Sequence, residues 1–436
     1  MTNVTSRVLV LGAYGLIGLE IVRRLRASGH DVVGLGRSIA TGRRLAPEID
    51  WIGADLASLT TPEAWRRHLH GIAAVVNASG ALQDGARDNL AASQSLAIRT
   101  LIAACEEVGV TRFIQISAPS ADPAARSAFL RTKGEADAVL RGSTLDWLIL
   151  KPGLVIGANA YGGTALLRML AAFPVVQPLV LGDSLVQTVA ADDVAEAVAM
   201  ALAGTVPMRS DYDLMEDTPQ TLRNIVRRFR RWLGFAEARA TLDLPPWIGF
   251  TTARIADTAG WFGWRSPLRS TALSVLSHGV TGDPGPWRRA TGHTCRSLRD
   301  TLAALPNTAQ ERVFARARLV FPVLLVVLSI FWIASGVIGI VQREAAATLL
   351  DGVLSTPAAN ILILAGDAID IAIGVGLIVR SWTRHAAVAA IIVSFGYLLA
   401  GTVLIPWLWA DPIGPFVKVL PGIALALAVA ALMEER

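Results

Sequence analysis

From Arg7 onward, short apolar runs alternate with stretches of helical period. The runs RVLVLG (7–12), HDVVGLG (30–36), AAVVNASG (73–80), RFIQIS (112–117) and LDWLILKPG (145–153) are short and rich in β-branched residues, which predicts strands. A helical pattern from about Leu16 to Ser28 follows the first of them. Strands that recur with helices between them predict an α/β fold, a Rossmann-like doubly wound parallel sheet covered on both faces. Beyond Arg318 the pattern changes. The segment 319–341 is 23 residues long without a charge, and at about 1.5 Å per residue it spans about 30 Å of hydrocarbon. Further apolar segments at about 357–379, 386–409 and 413–433 predict an all-α bundle of four transmembrane helices. The expected organisation is a dinucleotide-binding domain over 1–230, a membrane-proximal helical connection over 231–311 and a membrane domain over 312–436.

The junction carries its own signal. In QTLRNIVRRFRRWLGF (220–235), Leu222, Ile225, Val226, Phe229 and Trp232 recur at helical spacing, among Arg223, Arg227, Arg228, Arg230 and Arg231. Such a helix either lies on an anionic membrane surface or packs its apolar stripe on the sheet domain. The segment 244–268 adds Trp247, Trp261 and Trp264, rings that favour a membrane interface.

Composition sharpens this picture in three places. The net charge of +5 comes almost wholly from arginine, because Lys133, Lys151 and Lys418 are the only lysines. Cys105 and Cys295 have neither CxxC nor Cys/His metal spacing, so no metal site and no disulfide framework is expected. No charged leader followed by an apolar stretch precedes the first strand, so the N-terminal domain is expected in the cytoplasm. Arg312, Arg316 and Arg318 before the first span, and Arg380 and Arg384 between the second and third, outweigh Arg343 on the opposite side. The expected topology is a multi-pass protein of the inner (cytoplasmic) membrane with its N-terminal domain and C-terminus both cytoplasmic. Nucleic-acid binding is not expected, since no recognition motif accompanies the arginines.

The chemistry begins in GAYGLIG, which joins the first strand to the first helix and spaces Gly12, Gly15 and Gly18 three apart. Glycines there permit a tight turn, close approach to a pyrophosphate and tight helix packing, with the helix N-terminus facing the phosphates. Tyr14, Leu16 and Ile17 of the same loop join the candidate cofactor residues. The second strand ends in Arg37, with Arg43 and Arg44 nearby, where an NAD site usually has an acid; NADP(H) is therefore favoured over NAD(H). Asp55 and Leu56 follow the third strand, where Asp55 either accepts from the adenine amino group or caps the next helix. Asn77, Ala78, Ser79 and Gly80 end the fourth strand, where open α/β sheets hold ligands.

The ordered motifs GAYGLIG, GADL, NASG, QISAPS, Lys133, KPGLVIG and ADDVAEAV resemble those of extended and atypical short-chain dehydrogenase/reductases. The branch with the nucleotide-binding accessory subunit of respiratory complex I is the nearest in pattern, over roughly the first 230 residues. The resemblance implies a serine at Ser117, a lysine at Lys133 that holds the ribose, and a cofactor-lining turn at Pro152, Gly153 and Val155. It also implies a catalytic tyrosine four residues before the lysine. That position is Phe129, which has no proton to give, and loss of a positioned acid/base typically forfeits about 10²–10⁴-fold in rate. Asp192 and Asp193 read as a helix start.

The last 120 or so residues resemble the DoxX-like family of four-helix membrane proteins, some tied to quinone-linked oxidation. Asp367 and Asp370 lie three apart near the middle of the second expected span, so they share one helical face. Each costs about 2.5–3.5 kcal/mol at the bilayer centre, so they are expected to face the bundle interior with Lys418 as a partner within reach. An interhelix ion pair and a proton or quinone-headgroup site both fit. Two functions follow: an NAD(P)-dependent oxidoreductase that passes reducing equivalents to a quinone or other lipid-soluble acceptor, or a catalytically inactive NAD(P)-binding module that stabilises, senses or assembles a membrane complex.

Overall fold

The computed structural model describes residues 6–433 except 82–83, 85–88, 265 and 267. Arg265 and Pro267 of the tryptophan-bearing segment, and Met1–Thr5 at the expected cytoplasmic start, lie outside the described residues. The chain divides into two compact units, one of Met1–Gly260 with Arg265–Arg312, the other of Trp261–Trp264 with Val313–Arg436.

In the first unit, five strands follow the predicted runs, β1 (Arg7–Leu11), β2 (Asp31–Gly36), β4 (Ala74–Asn77), β5 (Arg112–Ile116) and β6 (Asp146–Pro152), and β3 (Asp50–Gly53) is the strand expected just before Asp55. With the edge strand Ser210–Leu214 they form one seven-stranded parallel sheet, ordered from that edge as β6, β5, β4, β1, β2, β3. The strand order reverses between β1 and β4, which is where doubly wound sheets open a crevice for ligands. On one face, Leu19, Val22 and Leu25 of helix α1 (Leu16–Ala27) and Val194, Val198 and Leu202 of the Ala191–Leu202 helix cover the sheet. On the other, Ile98 and Leu101 of the Ala97–Val108 helix and Ala136 and Leu140 of the Ala128–Arg141 helix pack with Trp65 and Phe113. Full burial of each large aliphatic chain contributes about 1.5–3 kcal/mol. Cys105 belongs to this core and Cys295 packs against the other; burial pushes both thiols up to about 12, as expected of small hydrophobes rather than reactive groups.

The arginine-rich stretch resolves in favour of packing. It forms a helix over Leu222–Trp232 whose Leu222, Ile225, Val226 and Phe229 are buried against the Gly163–Ala171 and Leu298–Ala304 helices. Its apolar stripe is therefore not available to a membrane. Asp192 and Asp193 open the Ala191–Leu202 helix and hold Arg296, Asp193 by two bonds of 2.8 Å.

In the second unit the helices Ala309–Val341, Thr356–Ile378 and Arg380–Leu404 are long and apolar enough to cross a membrane. Their outer faces expose Ile330, Ile361, Ile392 and Leu399, while Leu328, Trp332, Ile373, Leu377 and Ala390 form the interior. Gly336 lies against the Asp367 carbonyl and Gly374 against Ser329 and Ile333, contacts that a Cβ would block; small residues let membrane helices approach closely. A fourth apolar helix follows, shorter than the other three. The fourth apolar helix is only Val419–Leu432, 14 residues, about 21 Å long at 1.5 Å per residue. The third ends at Leu404 rather than 409, because Pro406 cannot continue it, and Pro412, Gly414 and Pro415 keep the following stretch in turns.

Candidate dinucleotide site

At the switch point, Gly12 has φ +69°, and its N–H donates to the Leu35 carbonyl at 3.0 Å. A Cβ on Gly12 would lie 2.9 Å from the Ala78 carbonyl oxygen, so the loops after β1 and β4 meet backbone to backbone. Gly15 N donates to the Gly12 carbonyl at 2.8 Å, closing the turn. Gly18 presses α1 onto that same carbonyl, leaving no room for a side chain. Gly15 caps α1 without a side chain and no acid stands in the first turn. The N–H groups of Leu16, Ile17 and Gly18 thus point outward at the positive end of a 12-residue helix dipole, the chemistry a pyrophosphate needs. Leu16 touches the loop at Gly157, beyond the short strand Leu154–Ile156 that carries Val155.

Tyr14 turns away from the phosphate position. Its ring covers Gly36 and packs 5.9 Å from the Trp51 ring, and its hydroxyl accepts from Ser38 N at 3.2 Å. It therefore shapes the end of β2, where Arg37 is exposed, with Arg43 and Arg44 exposed on the Ile39–Leu45 helix. Asp55 caps the turn Leu56–Ser58 through Ala57 N at 3.1 Å.

At the ends of β4 and β5 the polar groups form a buried network. Asn77 donates to Gln115 at 2.8 Å and accepts from Ser79 N at 3.1 Å. Lys133, on the Ala128–Arg141 helix, is 4% exposed and donates to the carbonyls of Ser79 at 2.9 Å and Ile116 at 2.8 Å. A Cβ on Gly80 would sit 3.5 Å from its Nζ. Burial pushes the Lys133 ammonium down to about 8, against the opposing pull of Asp137. Asp137, one turn further along the same helix and fully buried, accepts from Ser117 Oγ at 2.5 Å. Burial pushes its carboxyl up, opposed by the Ser117 bond and by Lys133, Arg141 and Lys151. Phe129 is half-buried in the first turn of this helix.

Gly12–Gly18, Asn77–Gly80, Ser117 and Lys133 are thus brought to the carboxyl ends of β1, β4 and β5. Pro152 and Gly153 are buried beside them in the chain from β6, where Gly153 N donates to the Leu214 carbonyl at 2.9 Å. Sequence reasoning missed Asp137, although it stands four residues after Lys133 and so on the same helical face. It also missed Gly134, whose bare Cα lets the Asp122 backbone pack directly on the helix, and Arg168. The Arg168 guanidinium is buried, pairs with Glu311 at 2.8 Å, donates to the carbonyls of Gly157 and Ala158 at 3.3 Å each, and lies over the Trp232 ring at 5.2 Å.

The intramembrane acids belong to the second unit. Asp370 accepts from the Tyr397 hydroxyl at 2.8 Å, and Asp367 packs its carboxylate against Gly339, with Oδ2 unbonded among the described residues. Lys418, expected to reach them, is exposed at the N-cap of the last helix and pairs with neither acid among the described residues. The missed partner is Tyr397, whose only sequence signal is being the one tyrosine beyond residue 212.

A parallel sheet with β1, a glycine turn and a helix without a side-chain cap at its switch point is the geometry of a dinucleotide-binding fold. Comparison with known proteins agrees: residues 12–204 match the NAD(P)H-binding family model, and residues 329–427 match the DoxX-like family. Residues 12–204 are thus similar to NAD(P)H-binding domains and residues 329–427 to DoxX-like proteins. Among curated proteins it is 32% identical over 155 residues to the photosystem II assembly factor Ycf39 of Synechocystis; the match covers 33% of this chain and 44% of that relative, so the chain spans under half of the relative's length. Its fold resembles that of the Bordetella bronchiseptica enzyme WbmH in complex with NAD+, with TM-score 0.51 and 17% identity over 69% of this chain and 96% of that one. It also resembles UDP-N-acetylglucosamine 4-epimerase from Bacillus cereus, with TM-score 0.52 and 13% identity over 71% and 96% of the two chains.

Proposed function

We propose that the chain is a membrane-anchored NADP(H)-binding module in which bound nucleotide stabilises or switches a membrane complex, without short-chain-type acid/base catalysis of its own. The observation that carries this is the state of the catalytic positions. Phe129 has no proton to donate, and the Ser117 hydroxyl is committed to a buried Asp137 carboxylate at 2.5 Å. The parts that would hold the nucleotide fit it: the α1 N-terminus for the pyrophosphate, Lys133 for the ribose hydroxyls, and Arg37 with Arg43 and Arg44 for a 2′-phosphate. When bound, the nicotinamide would supply a transferable hydride. The residues of this chain bind and orient it. The likeness to Ycf39, a photosystem II assembly factor, supports a module over an enzyme.

The charge bias of Arg312, Arg316, Arg318, Arg380 and Arg384 supports an inner-membrane protein with the nucleotide domain on the cytoplasmic side. A fluorescent protein that matures only in the cytoplasm, fused before Met1, should fluoresce; a dark but stable fusion contradicts this orientation.

The DoxX-like match, with Asp367 and Asp370 buried in the bundle, favours a second reading, hydride delivery to a quinone. One assay separates the two. With full-length protein in mild detergent, NADPH should bind yet show no sustained loss of absorbance on addition of a short-chain quinone. Steady NADPH oxidation that Lys133→Met abolishes contradicts the module and favours the quinone reductase.

A further inference from the structure

Five arginines crowd the Leu222–Trp232 helix, and the fold uses them in two different ways. Arg223 pairs with Asp183 at 3.1 Å and Asp243 at 2.9 Å. Arg230 is buried, and its guanidinium donates to the carbonyls of Ala236, Ala171 and Phe173 at 2.5, 2.9 and 2.5 Å. Both are structural. The remaining three, Arg227, Arg228 and Arg231, are exposed, and they converge with Asn224 and with Arg299 of the Leu298–Ala304 helix on one depression of about 410 Å³.

Counter-charge is scarce there. Glu237 pairs with Arg231 at 2.7 Å, whereas Arg227, Arg228 and Arg299 make no ion pair among the described residues. Asp300, the neighbour of Arg299, is turned into its own helix cap, accepting from Ser297 Oγ at 2.6 Å. Four guanidiniums from two packed helices thus face one opening, and among the described residues Glu237 is the one carboxylate ion-paired with any of them. Guanidinium forks match phosphate oxygens bidentately, and a cluster of like charge held by a rigid scaffold is relieved by a bound anion. The volume falls within the range of small-molecule sites. None of the lining residues belongs to the glycine loop, to the ends of β4 and β5, or to the Lys133 helix.

We propose that this depression is a second anion site that binds a dianionic phosphate monoester, independently of the dinucleotide cradle. A singly charged carboxylate would leave most of the cluster uncompensated; a monoester dianion offers two charges and three terminal oxygens to several forks at once. The same headgroup chemistry occurs in soluble phosphorylated metabolites and in phosphatidic acid, and the test distinguishes them.

Full-length protein in mild detergent is titrated with glycerol 3-phosphate, and separately with mixed micelles containing phosphatidic acid or phosphatidylcholine alone. A monoester probe should bind, and the Arg227→Glu/Arg228→Glu pair should weaken it at least tenfold, about 1.4 kcal/mol. Arg299→Gln, from the other helix, should weaken it as well. Arg99→Glu, an exposed arginine on the Ala97–Val108 helix, should leave it unchanged, and NADPH affinity should be the same in all variants. Binding of glycerol 3-phosphate identifies a soluble ligand; binding of phosphatidic acid alone identifies the lipid. The proposal is overturned if neither monoester binds, if phosphatidylcholine binds equally well, or if the double variant binds like the parent while its thermal unfolding is unchanged.

Discussion

Lys133→Met should weaken NADPH binding about 10–100-fold near pH 7, the loss expected for one hydrogen bond from a charged donor, about 1.5–3 kcal/mol. Two of the three Nζ protons are donated to the Ser79 and Ile116 carbonyls, which leaves the third for the ribose in the proposed role. Methionine keeps the volume and apolar stem, so the fold should survive. The parent protein carries a signature the variant lacks. In the nucleotide-free fold, burial has pushed this ammonium down to about 8, so affinity for an anionic nucleotide should fall as pH rises above about 8, by up to about tenfold per unit. Stability without nucleotide should move the other way. Between about 8 and the ordinary lysine value of 10.5 the unfolded chain retains a proton that the folded chain has released. Stability from this group therefore rises with pH across that window, while below it the full cost of burying the charge is present. Titration calorimetry and chemical denaturation across pH 7–10 read both trends, and Lys133→Met should flatten each; a variant that keeps the parent's pH profile in both contradicts the role given to this lysine.

Arg168→Met should destabilise the first unit by about 3 kcal/mol, since removing one member of a buried ion pair strands the other. Glu311 would lose its partner at 2.8 Å, the carbonyls of Gly157 and Ala158 would lose their donor, and Trp232 its cation. Because those carbonyls terminate the strand bearing Val155 beside Leu16, nucleotide binding should weaken together with stability. Adding Glu311→Gln removes the stranded charge and should recover part of the stability in denaturant unfolding. Equal unfolding midpoints for Arg168→Met and the parent would show that the pair contributes nothing.

The sheet was legible because its five inner runs are short, apolar and in part bounded by glycine, and because GAYGLIG stands in the one position where strand, turn and helix must meet. The edge strand Ser210–Leu214 was not, since SDYDL is largely polar and earns its place only by pairing with β6. The 222–232 helix shows the limit of periodicity. An apolar stripe ringed by arginine reads alike whether lipid or protein covers it, and only the partner helices decide. The Ser117–Asp137 contact joins residues 20 apart through the packing of a helix on β5, and no spacing rule reports it. In the second unit, hydropathy located the apolar segments but not the breaks at Pro406 and Pro412–Pro415, which shorten the last helix below a full span.

The dinucleotide cradle at the β1–β4 switch point is tested most directly by calorimetric titration of the full-length protein with NADPH and NADH, with Gly18→Ala as the matched control. Saturable binding is expected, tighter for NADPH through Arg37, Arg43 and Arg44, and at least tenfold weaker in Gly18→Ala because a methyl group has no room against the Gly12 carbonyl. Folded parent protein that takes up neither nucleotide would contradict it.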